Sequence, residues 1–142
     1  MWYDPIIAFL LRSPVHGLVD KGILLIDYNG SKSGKKYSVP VSYLKDGDDY
    51  LITSLRKRRW WRNFRGGAQV TLHVNGRKVT AVAEAITDTP AVAKELATYL
   101  ENQRFVARSL KIDIDENGHA NMDQVMKEAE TRVMVRIKPV TG

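Results

Sequence analysis

The chain has no cysteine, which rules out disulfides, thiolate metal sites and cysteine nucleophiles together. It has no apolar run approaching the ~18 residues that cross a bilayer as a helix. The opening MWYDPIIAFLLRSP is apolar, but its first charge is Asp4 and it carries no basic n-region, so it does not read as a secretory signal. A cytoplasmic protein is therefore expected, and the lack of disulfides fits a reducing compartment. Neither a nucleophile elbow nor an HExxH motif occurs. His16, His73 and His119 stand too far apart in sequence to suggest ligands, and no metal site is expected. There is no internal repeat and no low-complexity segment.

What is present describes an ordinary globular chain. Its 142 residues are 44% hydrophobic and 27% charged, which fits one domain spanning 1–142 and argues against disorder. Lys and Arg outnumber Asp and Glu by 22 to 16, a formal charge of +6. That excess favours an anionic partner: a phosphorylated cofactor, an acidic lipid or nucleic acid.

Hydrophobic spacing predicts a mainly β chain with helices at its ends. A helical segment at 4–20 is interrupted at Ser13-Pro14. The apolar run Ile23 to Ile26 reads as a buried strand, and Tyr37 to Leu44 as a second. Pro40 inside the second strand calls for a sheet edge or a bulge. Asp46-Gly47-Asp48 turns the chain into a strand at Tyr50 to Thr53. Trp60 to Phe64 reads as a short helical turn. Alternation over Gln69 to Val74 and over Lys78 to Ile86 flanks Asn75-Gly76, a strong hairpin signal because both turn positions need positive φ. Thr89-Pro90 reads as an N-cap and first-turn proline opening a helix to Leu100. Met122 to Glu130 forms a last helix and Val133 to Ile137 a last strand, so that 90–139 holds C-terminal helices and a strand. Six strands joined mostly by hairpins argue for an antiparallel barrel and not a doubly wound sheet.

Three segments are candidates for chemistry. Gly30-Ser31-Lys32-Ser33-Gly34-Lys35 can turn backbone N–H groups inward as an anion nest, with a lysine and a hydroxyl beside them. It lacks the spacing of a P-loop, and a solvated basic turn is the plainer reading. Arg56, Lys57, Arg58, Arg59, Arg62 and Arg65 crowd around Trp60 and Trp61. Arginine can take phosphate and tryptophan can pack on a ring, although at least one of the two rings is expected in the core. The same segment could bind single-stranded nucleic acid, a reading that ranks third. Asp113-Ile114-Asp115-Glu116-Asn117-Gly118 opens like an EF-hand, but Gln124 stands where a bidentate Glu is required, so it reads as a turn. Trp2, Tyr3, Ile6, Ile7, Phe9 and Leu10 could touch a membrane surface, with packing against a partner chain the plainer account.

Taken in order, the nest leading to Pro40, then Asp46-Gly47-Asp48 with Thr53-Ser54, then Trp60-Trp61-Arg62-Asn63-Phe64, resemble the deazaflavin-dependent nitroreductase family, a branch of the split-barrel flavin-binding proteins. The resemblance runs from Pro14 to Thr87 and more weakly through Arg136-Ile137. It implies a six-stranded, FMN-binding-like split barrel, often a homodimer. It also implies the deazaflavin coenzyme F-420 as cofactor, with FMN or FAD the alternative.

Carried over by position, Lys32, Ser33 and Gly34, with Lys35 beside them, would hold the phosphate-bearing tail. Pro40 and Val41 would present backbone to the ring, and Thr53 and Ser54 would line it. Arg59, Trp60, Trp61 and Asn63 would shape the groove, with Tyr37 nearby. Ser31 stands where the family usually has Arg, and Tyr37 where a basic residue is common. The function implied is an oxidoreductase moving hydride to an electron-poor acceptor such as a quinone, an activated alkene or a nitro compound, with Ser54 the expected proton or hydrogen-bond donor. The alternative is a flavin carrier or sensor without efficient turnover.

Overall fold

The structure is a computed structural model that describes residues 22–140. The segment expected to be helical at 4–20 lies outside the described residues. Seven strands form one antiparallel sheet: β1 (Ile23–Asn29), β2 (Lys36–Ser42), β3 (Leu44–Asp46), β4 (Asp49–Leu55), β5 (Ala68–Val74), β6 (Arg77–Ile86) and β7 (Arg132–Pro139). Their order is β2-β1-β5-β6-β7-β4-β3. The two outermost strands are consecutive in the chain and only Tyr43 separates them. The sheet therefore curls until its edges are the two halves of one bent strand. Counted once, that strand makes the expected six, and the mainly β split barrel stands.

Local sequence accounts for the register. Asn75 and Gly76 adopt φ of 50° and 77° and set Val74 opposite Arg77. Pro40, which has no N–H to give, lies on β2, which among the described residues pairs only with β1. The side-chain alternation then sorts two cores. Leu24, Ile26, Val39, Ile52, Val70, Leu72, Val135 and Ile137 fill the barrel. Leu51 and Met134 point the other way, beneath α1 (Thr89–Glu101), α2 (Arg104–Ser109) and α3 (Met122–Ala129). Among the described residues no helix is long and apolar enough to cross a membrane.

The segment that opens like an EF-hand is a turn. The Asp115 carboxylate accepts from the backbone N–H groups of Asn117 and His119, both at 2.9 Å. The bond from His119 is the main cause that holds this carboxyl below the usual carboxylate range. Gln124 joins Asp113 through both ends of its amide, at 2.7 and 3.1 Å.

Arg136 on β7 ties the barrel to α1. Its guanidinium donates to Asp49 and Asp46 at 2.9 Å each, and also to Glu95. Burial opposes its charge, and the hydrogen bonds to the three carboxylates outweigh burial and raise its pKa. Arg136→Ala leaves those carboxylates facing one another. The expected loss is about 2 kcal/mol, after allowance for solvent screening of a partly exposed network. It should be read as a lower urea midpoint with an unchanged slope.

Candidate functional site

The β1–β2 loop closes on itself before it offers anything to a ligand. Gly30 N–H donates to the Lys35 carbonyl at 2.8 Å and Gly34 N–H to the Gly30 carbonyl at 2.9 Å. Gly34 sits at φ 72°, a conformation that glycine adopts without steric cost. Lys35 N–H donates to Ser33 Oγ at 3.2 Å. Among the described residues the backbone N–H groups of Lys32 and Ser33 have no hydrogen-bond partner, and Lys32 is in no ion pair. Two free amides, an ammonium and a hydroxyl thus stand on one tight turn, the chemistry of an anion nest.

The second wall is the 3-10 turn Trp60–Phe64, whose Trp60, Trp61 and Phe64 are all buried in the barrel end. Trp60 packs edge-on against Phe64 with centroids 5.6 Å apart, and Phe64 meets Tyr28 in the same way at 5.2 Å. The buried Trp60 Nε1–H needs a partner and donates to Ser54 Oγ at 3.2 Å. Ser54 in turn donates to the Leu55 carbonyl at 3.3 Å. Asn63 then joins the two walls. Its Nδ2 donates to the Trp60 carbonyl, and its Oδ1 accepts from Ser31 N–H, both at 2.9 Å.

Between the walls lies a cleft of about 370 Å³. Gly30, Ser31, Lys32 and Ser33 line one side, Arg59, Trp60, Arg62 and Asn63 the other, and Tyr28 and Tyr37 close it. Tyr28 and Tyr37 stack at 5.6 Å with their planes 27° apart. Burial, with Tyr37 adding to it, pushes the Tyr28 hydroxyl above the usual phenol range, so it stays neutral at physiological pH. A methyl placed on Gly30 would meet Tyr37 Cε2 at 2.9 Å and Ser33 Oγ at 3.0 Å. Only glycine there keeps Tyr37 and Ser33 where they line the cleft.

Of the residues singled out by sequence, the structure gathers Lys32, Ser33, Tyr37, Arg59, Trp60 and Asn63 on this cleft. Gly34 and Lys35 belong to the same loop without lining it. Pro40 and Val41 lie further along β2, and Thr53 lies on β4 beside Met134. Ser54 is buried and reaches the cleft only through the indole it holds. Trp61 is buried, with the Arg62 and Arg65 guanidiniums over its ring at 5.5 and 5.2 Å. Arg56 spends its guanidinium on the Thr87 and Arg132 carbonyls, at 2.8 and 3.0 Å. With both indoles buried and Arg56 engaged, the segment offers no exposed tryptophan face on which a base could stack. Tyr28 also lines the cleft but lies beyond the apolar run Ile23 to Ile26 that marks the strand, and its place between the polar Asp27 and Asn29 is the available signal.

A curled antiparallel sheet whose two edges are the halves of one bent strand defines a split barrel of the FMN-binding-like kind. Solved structures carry the same fold. HutZ, the heme storage protein of Vibrio cholerae, superposes with a TM-score of 0.56 at 14% identity, over 100% of this chain and 93% of that one. The F420-H2 dependent reductase FDR-A gives 0.54 at 17% identity, over 82% and 95%. A chain described as a domain-swapped dimer gives 0.50 at 14% identity, over 94% and 99%. No curated protein matches the chain by sequence. The chain belongs to the F420H(2)-dependent quinone reductase family, whose model matches residues 13–117.

Proposed function

We propose that this protein is a deazaflavin-dependent reductase that passes hydride to a quinone or a related electron-poor acceptor. The observation that carries this reading is the nest opposite Arg59 and Arg62, clasped by Asn63 across one cleft that ends on two stacked tyrosines. These residues suit a molecule with a phosphate at one end and a flat ring at the other. Lys32, Ser33 and the free amides would take the phosphate, with Arg59 and Arg62 on the facing wall. Trp60 and Tyr37 would bound the path to the ring. The bound cofactor supplies hydride chemistry that no side chain here can provide.

The protein's own part is positioning and exclusion of water. Trp60, fixed by Ser54, is a rigid wall. The phenol hydroxyls of Tyr28 and Tyr37 can donate hydrogen bonds to an acceptor oxygen as it gains charge. In this geometry Ser54 is a positioning residue, and the donor role passes to the tyrosines. A homodimer in the cytoplasm remains part of the proposal, as does a single domain over the whole chain. The homodimer has support from the assembly described for one structural neighbour.

The test is anaerobic mixing of reduced F-420 with a naphthoquinone. Reoxidation followed at the visible band of the oxidised cofactor should require the protein and saturate with quinone. Tight binding without acceleration over the protein-free rate would instead identify a carrier.

A further inference from the structure

A second cleft, of about 530 Å³, opens where β4 ends beside the junction of α3 and β7. Leu55, Arg56, Lys57, Arg62, Glu130 and Thr131 line it, and of these only Arg62 also lines the first cleft. Its frame is pinned at Arg56. The Arg56 N–H donates to the Thr131 carbonyl at 2.8 Å, and the Arg56 carbonyl accepts from Trp61 Nε1–H at 3.3 Å. The guanidinium is spent on the Thr87 and Arg132 carbonyls. Arg56 therefore offers the cleft its aliphatic stem, beside the half-buried Leu55.

The other charges on this lining are uncommitted. Lys57 and Arg62 are exposed, and neither is in an ion pair among the described residues. Glu130 is the one carboxylate, and it too is exposed and in no ion pair among them. The two signs of charge thus stand apart on the lining, with apolar surface from Leu55 in the same cleft. This lining differs from that of the first cleft, which holds cations and no carboxylate.

We propose that the second cleft binds a small dipolar organic acid, with a carboxylate for Lys57 and Arg62, an ammonium for Glu130 and an apolar body between them. Each end meets an opposite charge that has no ion-pair partner among the described residues, so binding breaks no existing pair. A simple anion would face Glu130, and a simple cation would face Lys57 and Arg62. Only a ligand that carries both signs satisfies the whole lining. Because Arg62 serves both clefts, the carboxylate of this ligand competes with the cofactor phosphate for one guanidinium. Occupancy of either cleft therefore weakens binding at the other, by the same factor in both directions. The site follows from its own lining, and only its coupling to F-420 rests on the reductase reading above.

The test uses 4-(aminomethyl)benzoate, with benzoate and benzylamine as probes that each lack one of its charges. Dissociation constants are read from the NMR shifts of each probe on the cofactor-free protein at constant ionic strength. The dipolar probe should bind with a Kd on the order of 1 mM, and each single-charge probe about fivefold more weakly. Lys57→Gln should weaken the dipolar probe and benzoate about fivefold each, with no change in F-420 affinity. Glu130→Gln should weaken the dipolar probe by a similar factor and strengthen benzoate. Saturating dipolar probe should weaken F-420 binding to the unaltered protein about threefold. No saturable binding of the dipolar probe, an affinity unmoved by Lys57→Gln, or shifts of the same sign for both probes in Glu130→Gln would overturn the site. An F-420 affinity unmoved by saturating probe would overturn the coupling. Failure to bind F-420 at all would sink the reductase reading alone, because the probe series needs no cofactor.

Discussion

Trp60→Ala is expected to lower the unfolding free energy by about 3–4 kcal/mol and to abolish cofactor binding in the protein that remains folded. The stability loss follows from removing a large side chain that is buried at the barrel end, which leaves a cavity that Phe64 and Ser54 cannot fill. The binding loss follows from the same deletion, because the indole is a wall of the cleft. Trp60→Phe separates the two effects. It keeps most of the packing, removes the donor to Ser54 Oγ while the hydroxyl keeps the Leu55 carbonyl, and should cost about 1 kcal/mol. Urea denaturation followed by far-UV circular dichroism, with calorimetric titration of F-420, reads both. A Trp60→Ala protein with unchanged midpoint and affinity would show that the turn does not carry the cleft.

Lys32→Glu should weaken F-420 binding about a hundredfold, roughly 3 kcal/mol, with almost no change in stability. Lys32 is exposed and in no ion pair among the described residues, so the fold loses nothing with its charge. The bound phosphate, in contrast, loses an ammonium and faces a carboxylate on the same turn. Lys32→Ala removes only the attraction and should cost about tenfold, ~1.5 kcal/mol. Affinities unchanged in both variants would remove the β1–β2 loop from the site.

The sequence carried those parts of the fold that local chemistry specifies. Asn75-Gly76 announces its hairpin because few residue pairs tolerate two positive φ angles in succession. Pro40 announces an edge because a central strand needs its N–H. The first helix was placed one residue late, since Asp88 and not Thr89 caps it. Its carboxylate accepts from Ala91 N–H at 3.3 Å, and two adjacent residues of cap-forming type cannot be ranked by type alone. The helix Arg104–Ser109 gave no signal, with Ala107 its only buried residue. The break at Tyr43 was also hidden, because tyrosine suits a strand and the bend comes from the barrel as a whole.

The site was legible by composition and not by direction. The nest and the Trp-x-x-Asn segment can be read as separate groups, but nothing local says that Asn63 reaches 32 residues back to Ser31. Nor does alternation along β4 show that Ser54 turns its hydroxyl to an indole and away from the cleft. The two adjacent tryptophans were expected to diverge, as neighbours on a helix do. The barrel end is wide enough to bury both, together with Phe64.

The reductase reading depends on the anion nest and the 3-10 turn forming one receptor for a phosphorylated ring. The direct measurement is calorimetric titration of the purified protein with oxidised F-420 and, side by side, with FMN, each repeated with Asn63→Ala. One-to-one binding that favours F-420, falls with rising salt and collapses in Asn63→Ala is expected, since that variant unclasps the two walls without touching a charge. Binding of equal strength with and without Asn63, or of FMN alone, would contradict it.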